Sequence, residues 1–504
     1  MGDDSSHRLA VIRFSGELST KARATRRQFR TRLVYNLRDA LADQGPPPRL
    51  EVSHTRIFAH LPDAGPGVTD AASLRDHPLT RVFGVQSVSF AERHPAPDLD
   101  SVVRTGEALF RESVRGRRFA VRARRVGERR AVRMRSIDVA RALGAALLPT
   151  SAGVDLSHPE VGVHVELSEG SAAFFSERIP GPAGLPLGVE GRAVALVSGG
   201  FDSAVAAWQL SRRGVALDQV FCNLGGQSHL QGVVRVAKVL ADRWSYGHAP
   251  RLHAIDFEPV AAAIREHTET RYWQVLLKRM MLRAAEAVAR ERRGLAIVTG
   301  DAVGQVSSQT LQNLAVVSRA TELPILRPLV GANKDEIIEL SRRIGTFDLS
   351  KVVGEYCAMV PRKPATRAAL RAVEEQEARI SPGLVEKLVA ERSVLDLRAI
   401  DLASLDVPGL AIDRLPPDAT ILDLRPLEQY RSEHHPEALH LEFSQALEAY
   451  PSFDRDAVFV LSCEFGLMSA HLAELMRREG FRVHHLRGGQ SALMAQAKGP
   501  DPGS

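Results

Sequence analysis

The stretch Ala193–Ser203, AVALVSGGFDS, decides how the rest of the chain is read. Four apolar residues, Val194 to Val197, run straight into Ser198, Gly199 and Gly200. That is the pattern of a buried parallel strand emptying into a tight turn. Beyond the turn, Asp202 and Ser203 are expected to cap a helix carried by Ala204, Val205, Ala207, Trp208 and Leu210 and ending near Gly214. A strand, a glycine turn and a helix N-terminus make an anion site, because free backbone N–H groups and the positive end of the helix dipole converge there. The stretch therefore predicts phosphate binding.

The spelling SGGFDS lacks the Lys-Ser/Thr ending of the common nucleotide loop. It resembles the pyrophosphatase loop (PP-loop) of enzymes that split ATP into AMP and pyrophosphate, where the acidic residue of the motif is required. Downstream, strand-like runs (DQVFCNLGG, RLHAIDF, GLAIVTG, ILRPL) alternate with helical ones as far as about Ile380. This alternation predicts a doubly wound parallel sheet with its site at the strand C-termini. The polar loop Asp301–Thr310, rich in small hydroxyl and amide groups, suits a nucleotide pocket.

A chain of 504 residues, 44% hydrophobic and 25% charged, has the composition of a globular protein with several cores. No apolar run is long enough to cross a bilayer and MGDDSSHR has no apolar signal core, so a cytoplasmic protein without membrane contact is expected. Three cysteines, Cys222, Cys357 and Cys463, form neither a disulfide framework nor a C-x-x-C zinc pair, so any reactive role falls to single thiols. No protein metal site is expected from them. Charge is uneven: Ser19 to Arg38 holds seven basic residues and no acid, and Ser101 to Arg141 holds thirteen Arg against four acids. Since the whole chain is only +6, the basic character belongs to the N-terminal half, and a polyanion is expected there.

The first segment, 1–97, opens with the strand LAVIRF and a basic helix from about Thr20 to Ala42, and reads as a small α/β sandwich. The second, 98–180, has a helix near Ser101–Val114, the strand RFAVRARRV, a helix opened by Ser136 and Asp138, and a strand near Val161–Leu167. Alternation along RFAVRARRV buries Phe119 and Val121 and turns Arg118, Arg122 and Arg124 toward solvent or phosphate. The SIDV helix start at Ser136 and the GPAGLPLG linker, Gly181 to Gly188, just upstream of the PP-loop, resemble a THUMP RNA-binding domain following a ferredoxin-like one. After the PP-loop domain, 181–380, a charged helical connector, 381–403, leads to a last domain, 404–504. There AVFVLS ends on Cys463, and a short loop leads to a helix near Ser469, which aims N–H groups at the sulfur. With Asp423-Leu424-Arg425 and His435-Pro436-Glu437-Ala438, this resembles a rhodanese domain. It departs at Glu437, where that fold usually has Gly, and at Phe465, where relatives often have Arg.

The strings SGGFDS at Ser198, LKRMM at Leu277, TGDAVGQVSSQT at Thr299, LRPL at Leu326 and EYC at Glu355 occur in this order in tRNA 4-thiouridine synthetases. The chain closely resembles that family, tRNA uracil 4-sulfurtransferase, over about Leu9 to Leu486. The fold implied is multidomain α/β: a ferredoxin-like plus THUMP N-terminal half, a doubly wound PP-loop ATP pyrophosphatase domain and a C-terminal rhodanese-like domain. The resemblance implies ATP contacts at Leu196, Val197, Lys278, Gly300 and Gln309, with Ser198, Gly199, Gly200, Phe201 and Ser203 around the phosphates. It implies Mg-ATP as cosubstrate and Asp202 as a catalytic residue that organises either magnesium and pyrophosphate or the activated base. A cysteine desulfurase would load Cys463 as a persulfide, and Cys357 would be its disulfide partner. The product implied is 4-thiouridine at position eight of tRNA, made through an adenylylated intermediate. The family also implies sulfur transfer to the sulfur carrier protein of thiamine thiazole synthesis. A non-catalytic tRNA-binding protein with decayed sites is the alternative, against which the intact SGGFDS, Lys278, Gln309, Cys357 and Cys463 argue.

Overall fold

The computed structural model describes residues 7–44, 49–53, 56–61, 74–126, 132–353, 363–406, 408–464 and 466–497. Cys357 and Phe465 lie outside these residues. The chain divides into two compact units, one of Met1–Glu190 with Arg212–Gly214 and Tyr246–His248, the other of Gly191–Ser211, Val215–Ser245 and Ala249–Ser504. Among the described residues no helix is long and apolar enough to cross a membrane.

In the first unit, β1 (His7–Phe14), β2 (Leu50–Val52), β3 (Arg56–His60), β4 (Val85–Pro95), β5 (Arg118–Arg125), β6 (Gly153–Val154), β7 (Val161–Ser168), β8 (Ser171–Phe175) and β9 (Ile179–Pro180) form one sheet. Its order is β2-β3-β1-β4-β8-β7-β5-β6, with β9 also paired to β4. A single sheet thus crosses the boundary expected near residue 97. Strand β4 is long enough to pair with β1 along most of its length and with β8 from Glu92 to Pro95. The helix Arg23–Ala40 buries Phe29, Leu33 and Leu37 against one part of the sheet, so its arginines face away. The helices Leu99–Phe110 and Ser136–Leu147 bury Val102, Phe110, Val139 and Leu143 against β5 and β7. On β5, Phe119 is buried and Val121 partly so, while Arg118, Arg122 and Arg124 are exposed.

The second unit holds two sheets. In the first, β10 (Arg192–Leu196), β11 (Ala216–Asn223), β12 (Arg251–Asp256), β13 (Ile297–Val298), β14 (Ile325–Leu326) and β15 (Ser393–Asp396) run in the order β14-β13-β10-β11-β12-β15. All pairings are parallel except that of β15. The stretch 381–403, expected as a helical connector, therefore also supplies an antiparallel edge strand, with Leu395 paired to Leu252. In the second sheet, β16 (Ala411–Ile412), β17 (Thr420–Asp423), β18 (Leu439–His440), β19 (Val458–Ser462) and β20 (Arg482–Leu486) run in the order β16-β20-β19-β17-β18, all parallel. Both central strands, β10 and β19, are apolar because both their faces are covered.

The GPAGLPLG segment is held by backbone contact. Gly184 has φ +70°, and a Cβ there would lie 2.1 Å from the carbonyl oxygen of Arg212. Gly184→Ala is expected to destabilise the first unit by about 1–3 kcal/mol. A urea transition of that unit unchanged from wild type would show that the contact relaxes freely.

Candidate functional site

In the first sheet of the second unit, strand order reverses beside β10: β11 and β12 lie on one side of it, β13 and β14 on the other. The crevice at the carboxyl ends of β10 and β13 is the place where an open α/β sheet accepts a ligand. The segment after β10 is Ser198–Gly200, and the helix Phe201–Arg212 follows at once. Gly199 takes φ +79°, and a Cβ there would press on Val353 and Val233. Ser203 braces the turn: its Oγ accepts from the Ser198 N–H at 3.2 Å and donates to the Gly200 carbonyl at 3.1 Å. Leu196 and Val197 are partly buried at the strand end, Ser198 is exposed, Gly199 is buried and Gly200 is partly buried.

Gly300 closes the crevice from the β13 side. A Cβ there would lie 2.7 Å from the Asp202 carbonyl carbon and 2.8 Å from the Ser203 nitrogen, so only glycine lets the two strand ends approach. The next residue, Asp301, gathers the polar groups. It accepts from Lys278 Nζ at 2.8 Å, Thr299 Oγ1 at 2.8 Å, Gln309 Nε2 at 3.3 Å and Arg327 Nε at 3.3 Å. The structure thus brings together Lys278, Gly300 and Gln309, which lie far apart in sequence.

Asp202 sits in the first turn of its helix without capping it. Its carboxylate instead accepts from Lys334 Nζ at 2.9 and 3.1 Å and from Gln305 Nε2 at 2.9 Å. Lys334 also lies 5.5 Å from the centre of the Phe201 ring. Lys334 is a functional candidate that reading the sequence did not single out, while Asp301, Gln305 and Arg327 lay within quoted stretches without a role of their own. Lys334 had a signal: it is the first residue of the helix Lys334–Ile344, where a cation opposes the helix dipole. A cation kept there against that cost has a partner elsewhere.

The donor set fits a nucleoside triphosphate: a backbone turn at a helix N-terminus, flanked by three cations each now held by a carboxylate. Among the described residues no group of three or more His, Cys, Asp or Glu is placed to hold a metal ion. Asp202 could offer one carboxylate to magnesium bound mainly by phosphate oxygens.

The second sheet presents Cys463 at the end of β19, only 1% exposed. Its Sγ accepts from the Ser469 N–H at 3.4 Å and lies 3.4 Å from the Ser469 Oγ, so the helix Leu467–Arg478 does point donors at the sulfur. Asp423 and Arg425 form a buried ion pair at 2.7 Å, and Arg425 stands 3.9 Å from Glu464 beside the cysteine. His435 accepts from the Glu437 N–H at 3.3 Å, which braces the turn where Glu437 replaces glycine. Cys222 is buried on β11, and desolvation pushes its thiol pKa up, so it is an inert thiol.

In the first unit, Arg23, Arg26, Arg27, Arg30 and Arg32 line a groove of about 1750 Å³ with Tyr35, Val52 and Ser53. Arg118 is 66% exposed at its side chain, and Arg122 donates to the Leu156 carbonyl at 3.1 Å. Arg23, Arg27, Arg118, Arg122 and Arg124 are exposed, whereas Arg32 is half-buried and donates to the Leu187 and Gly247 carbonyls.

The charge on Asp301 should be measurable. Burial pushes its carboxyl up, but Lys278, with Thr299 and Arg327, outweighs burial and holds it at about 2. A carboxyl depressed from 3.8 contributes about 2 kcal/mol of stability above pH 4, lost as pH falls toward 2. Asp301→Asn should therefore unfold at lower urea than wild type at neutral pH, the gap narrowing below pH 4. A gap that stays constant through that window would mean the charge on Asp301 does not stabilise the fold.

Comparison with known proteins identifies the domains. Residues 188–381 match the family model described as thiamine biosynthesis protein (ThiI) and 9–89 its ferredoxin-like domain. Residues 96–177 match the THUMP domain and 410–496 the rhodanese-like domain. The chain is 38% identical over 490 residues to a tRNA sulfurtransferase of Desulfurococcus amylolyticus, covering 96% of this chain and 98% of that protein. It is 37% identical to a tRNA sulfurtransferase of Pyrobaculum aerophilum, covering 97% and 99%. A crystal structure of a 4-thiouridine synthetase–RNA complex with bound ATP superposes with a TM-score of 0.68 at 28% identity, covering 77% of this chain and 99% of that one. By its domains, its coverage and its crevice, the chain belongs to the tRNA sulfurtransferase family of enzymes.

Proposed function

We propose that the protein transfers sulfur from a persulfide on Cys463 to a uridine of tRNA, at position eight, forming 4-thiouridine at the expense of ATP. The observation that carries this reading is that one helix, Gly226–Trp244, serves both half-sites: Val233 packs on Gly199 of the phosphate turn, and the Ser228 N–H binds Glu474 on the helix that follows Cys463. Two chemistries that share one wall suit one substrate handed between them.

In this reading ATP lies against Leu196 and Val197, with its phosphates on Ser198, Gly199, Gly200, Phe201 and Ser203 and its charge met by Lys278, Arg327 and Lys334. Gly300 keeps the crevice narrow, and Gln309, whose Oε1 is buried without a partner, has an acceptor to offer. The uridine O4 attacks the α-phosphorus and pyrophosphate leaves, which turns a poor leaving oxygen into AMP. Asp202 holds Lys334 and would offer its carboxylate either to magnesium on the pyrophosphate or to the activated base. Arg118, Arg122 and Arg124, with the arginine-lined groove of the first unit, bind tRNA through its phosphates and shape.

Sulfur then replaces O4 at C4. Either the outer sulfur of the Cys463 persulfide attacks and Cys357 thiolate breaks the remaining S–S bond, or Cys357 first releases sulfide, which attacks. Both routes expel AMP with the O4 oxygen and leave a Cys357–Cys463 disulfide for an external reductant. Cys357 itself lies outside the described residues, but Val353, four positions earlier, packs on Gly199 and Gly232. A cysteine desulfurase supplies the sulfur. The name of the matching family favours a second acceptor, the thiamine sulfur carrier protein, served by the same Cys463.

Two experiments test this. Asp202→Ala is expected to abolish tRNA adenylylation while Cys463 still accepts sulfur; 4-thiouridine made at the normal rate by that variant would refute the activation site. Non-reducing peptide mapping after one turnover should find Cys357 linked to Cys463. Repeated cycling of Cys357→Ala at the wild-type rate would remove Cys357 from the cycle.

A further inference from the structure

The loop from Cys463 to Met468, CEFGLM, contains no basic residue and one acid, Glu464. A persulfide anion formed there adds negative charge to negative charge. Of the arginines of that domain near the loop, Arg425 is already bonded to Asp423 through Nε and Nη2, and Arg487 is paired with Asp413. A cation for the sulfur must come from another element.

The helix Gly226–Trp244 packs along the helix Leu467–Arg478, and the contacts fix their register. A Cβ at Gly226 would meet Glu474 and Arg478. Glu474 accepts from the Gln227 N–H at 3.1 Å, the Ser228 N–H at 2.9 Å and the Ser228 Oγ at 2.7 Å. Positions 226 and 228 thus face 478 and 474, so the helices run antiparallel. Seven residues on from Ser228, two turns along the same face, is Arg235. Seven residues back from Glu474 is Leu467, beside the Cys463 loop. The same pairing puts Arg235 opposite the N-terminal end of the cysteine's helix, where the sulfur sits. Its electrostatics agree: burial lowers the Arg235 pKa while Cys463 opposes that effect, and Arg235 in turn helps hold His485 down at about 4.

We infer that Arg235, a residue of the nucleotide-binding part of the unit, positions and stabilises the sulfur anion on Cys463, the role the cysteine's own loop lacks a cation to fill. This rests on the reading of Cys463 as the sulfur carrier. The other ionisable groups around the sulfur cannot take the role. His471 and His485 are both held near 4 by burial and so are neutral at physiological pH. Glu464 and Glu474 are acids, and Arg425 is engaged with Asp423.

The test is the pH titration of Cys463 in the full chain, followed by ultraviolet thiolate absorbance as the difference between each protein and its Cys463→Ser counterpart. This needs no reagent to reach a buried sulfur. Arg235→Met and Arg235→Gln should raise the midpoint by about one pH unit, a tenfold loss of thiolate near neutrality, and Arg235→Lys should keep most of it. An unchanged midpoint in either neutral variant, while it still adenylylates tRNA as wild type does, overturns the assignment. So does a midpoint raised as much by Arg235→Lys as by Arg235→Met, which would mark a packing effect. The reading of Cys463 as carrier fails separately, if Cys463→Ser still makes 4-thiouridine.

Discussion

The close approach of Gly300 to the first turn of the helix Phe201–Arg212 is the constraint on which the nucleotide crevice depends. With a methyl group at position 300 less than 3 Å from the Asp202 and Ser203 backbone, the end of β13 would have to move away from β10. The consequences pass along the chain on both sides. Thr299 and Asp301, flanking the glycine, place the carboxylate that Lys278 and Arg327 bind. On the other side, Asp202 is turned toward Lys334 and Gln305. Two ion-paired clusters are therefore held apart by one glycine, and their cations stand around the phosphate turn. The buried carboxylate of Asp301 keeps those cations ordered when no phosphate is there to meet them, which would otherwise leave like charges facing one another in a partly buried crevice.

Local signals carried most of the fold. The apolar run Val194–Val197 followed by two glycines announced the central strand and its turn, because a buried parallel strand cannot be polar on either face. The same held for AVFVLS before Cys463. What stayed hidden was pairing between distant segments. SAAFF at Ser171–Phe175 reads as an ordinary apolar strand, and nothing in it says that it pairs with β4 and joins two domains into one sheet. Ser393–Asp396 is short and half charged, so its place at the edge beyond β12 comes from the partner strand and not from its own pattern. In the site, Lys278, Gly300 and Gln309 were reachable through motif strings. Asp301, Arg327 and Lys334 acquire meaning only through contacts that span 23, 26 and 132 positions.

The helix Gly226–Trp244 ties the turn after β10 to the helix that follows Cys463. Its N-terminus is satisfied by a carboxylate from the other sheet, Glu474, which takes two of the backbone N–H groups a helix leaves open at its start. Burial pushes the Glu474 carboxyl up, but the donors from Ser228 and Gln227 outweigh it, so the acid stays charged where the helix dipole favours it. Next in sequence, His229 hydrogen-bonds the Ser198 backbone of the phosphate turn and feels His471 beyond it; burial holds it at about 4. A neutral histidine between turn and sulfur loop transmits position without adding charge to either.

That arrangement also limits access. At 1% exposure the Cys463 sulfur, in one apolar cluster with Leu461, Leu472 and Ala473, is closed to a thiol from outside. The buried position thus shields the thiol from solvent. In the function proposed above, loading and reduction therefore need the sulfur to be uncovered, and so does its transfer to a uridine.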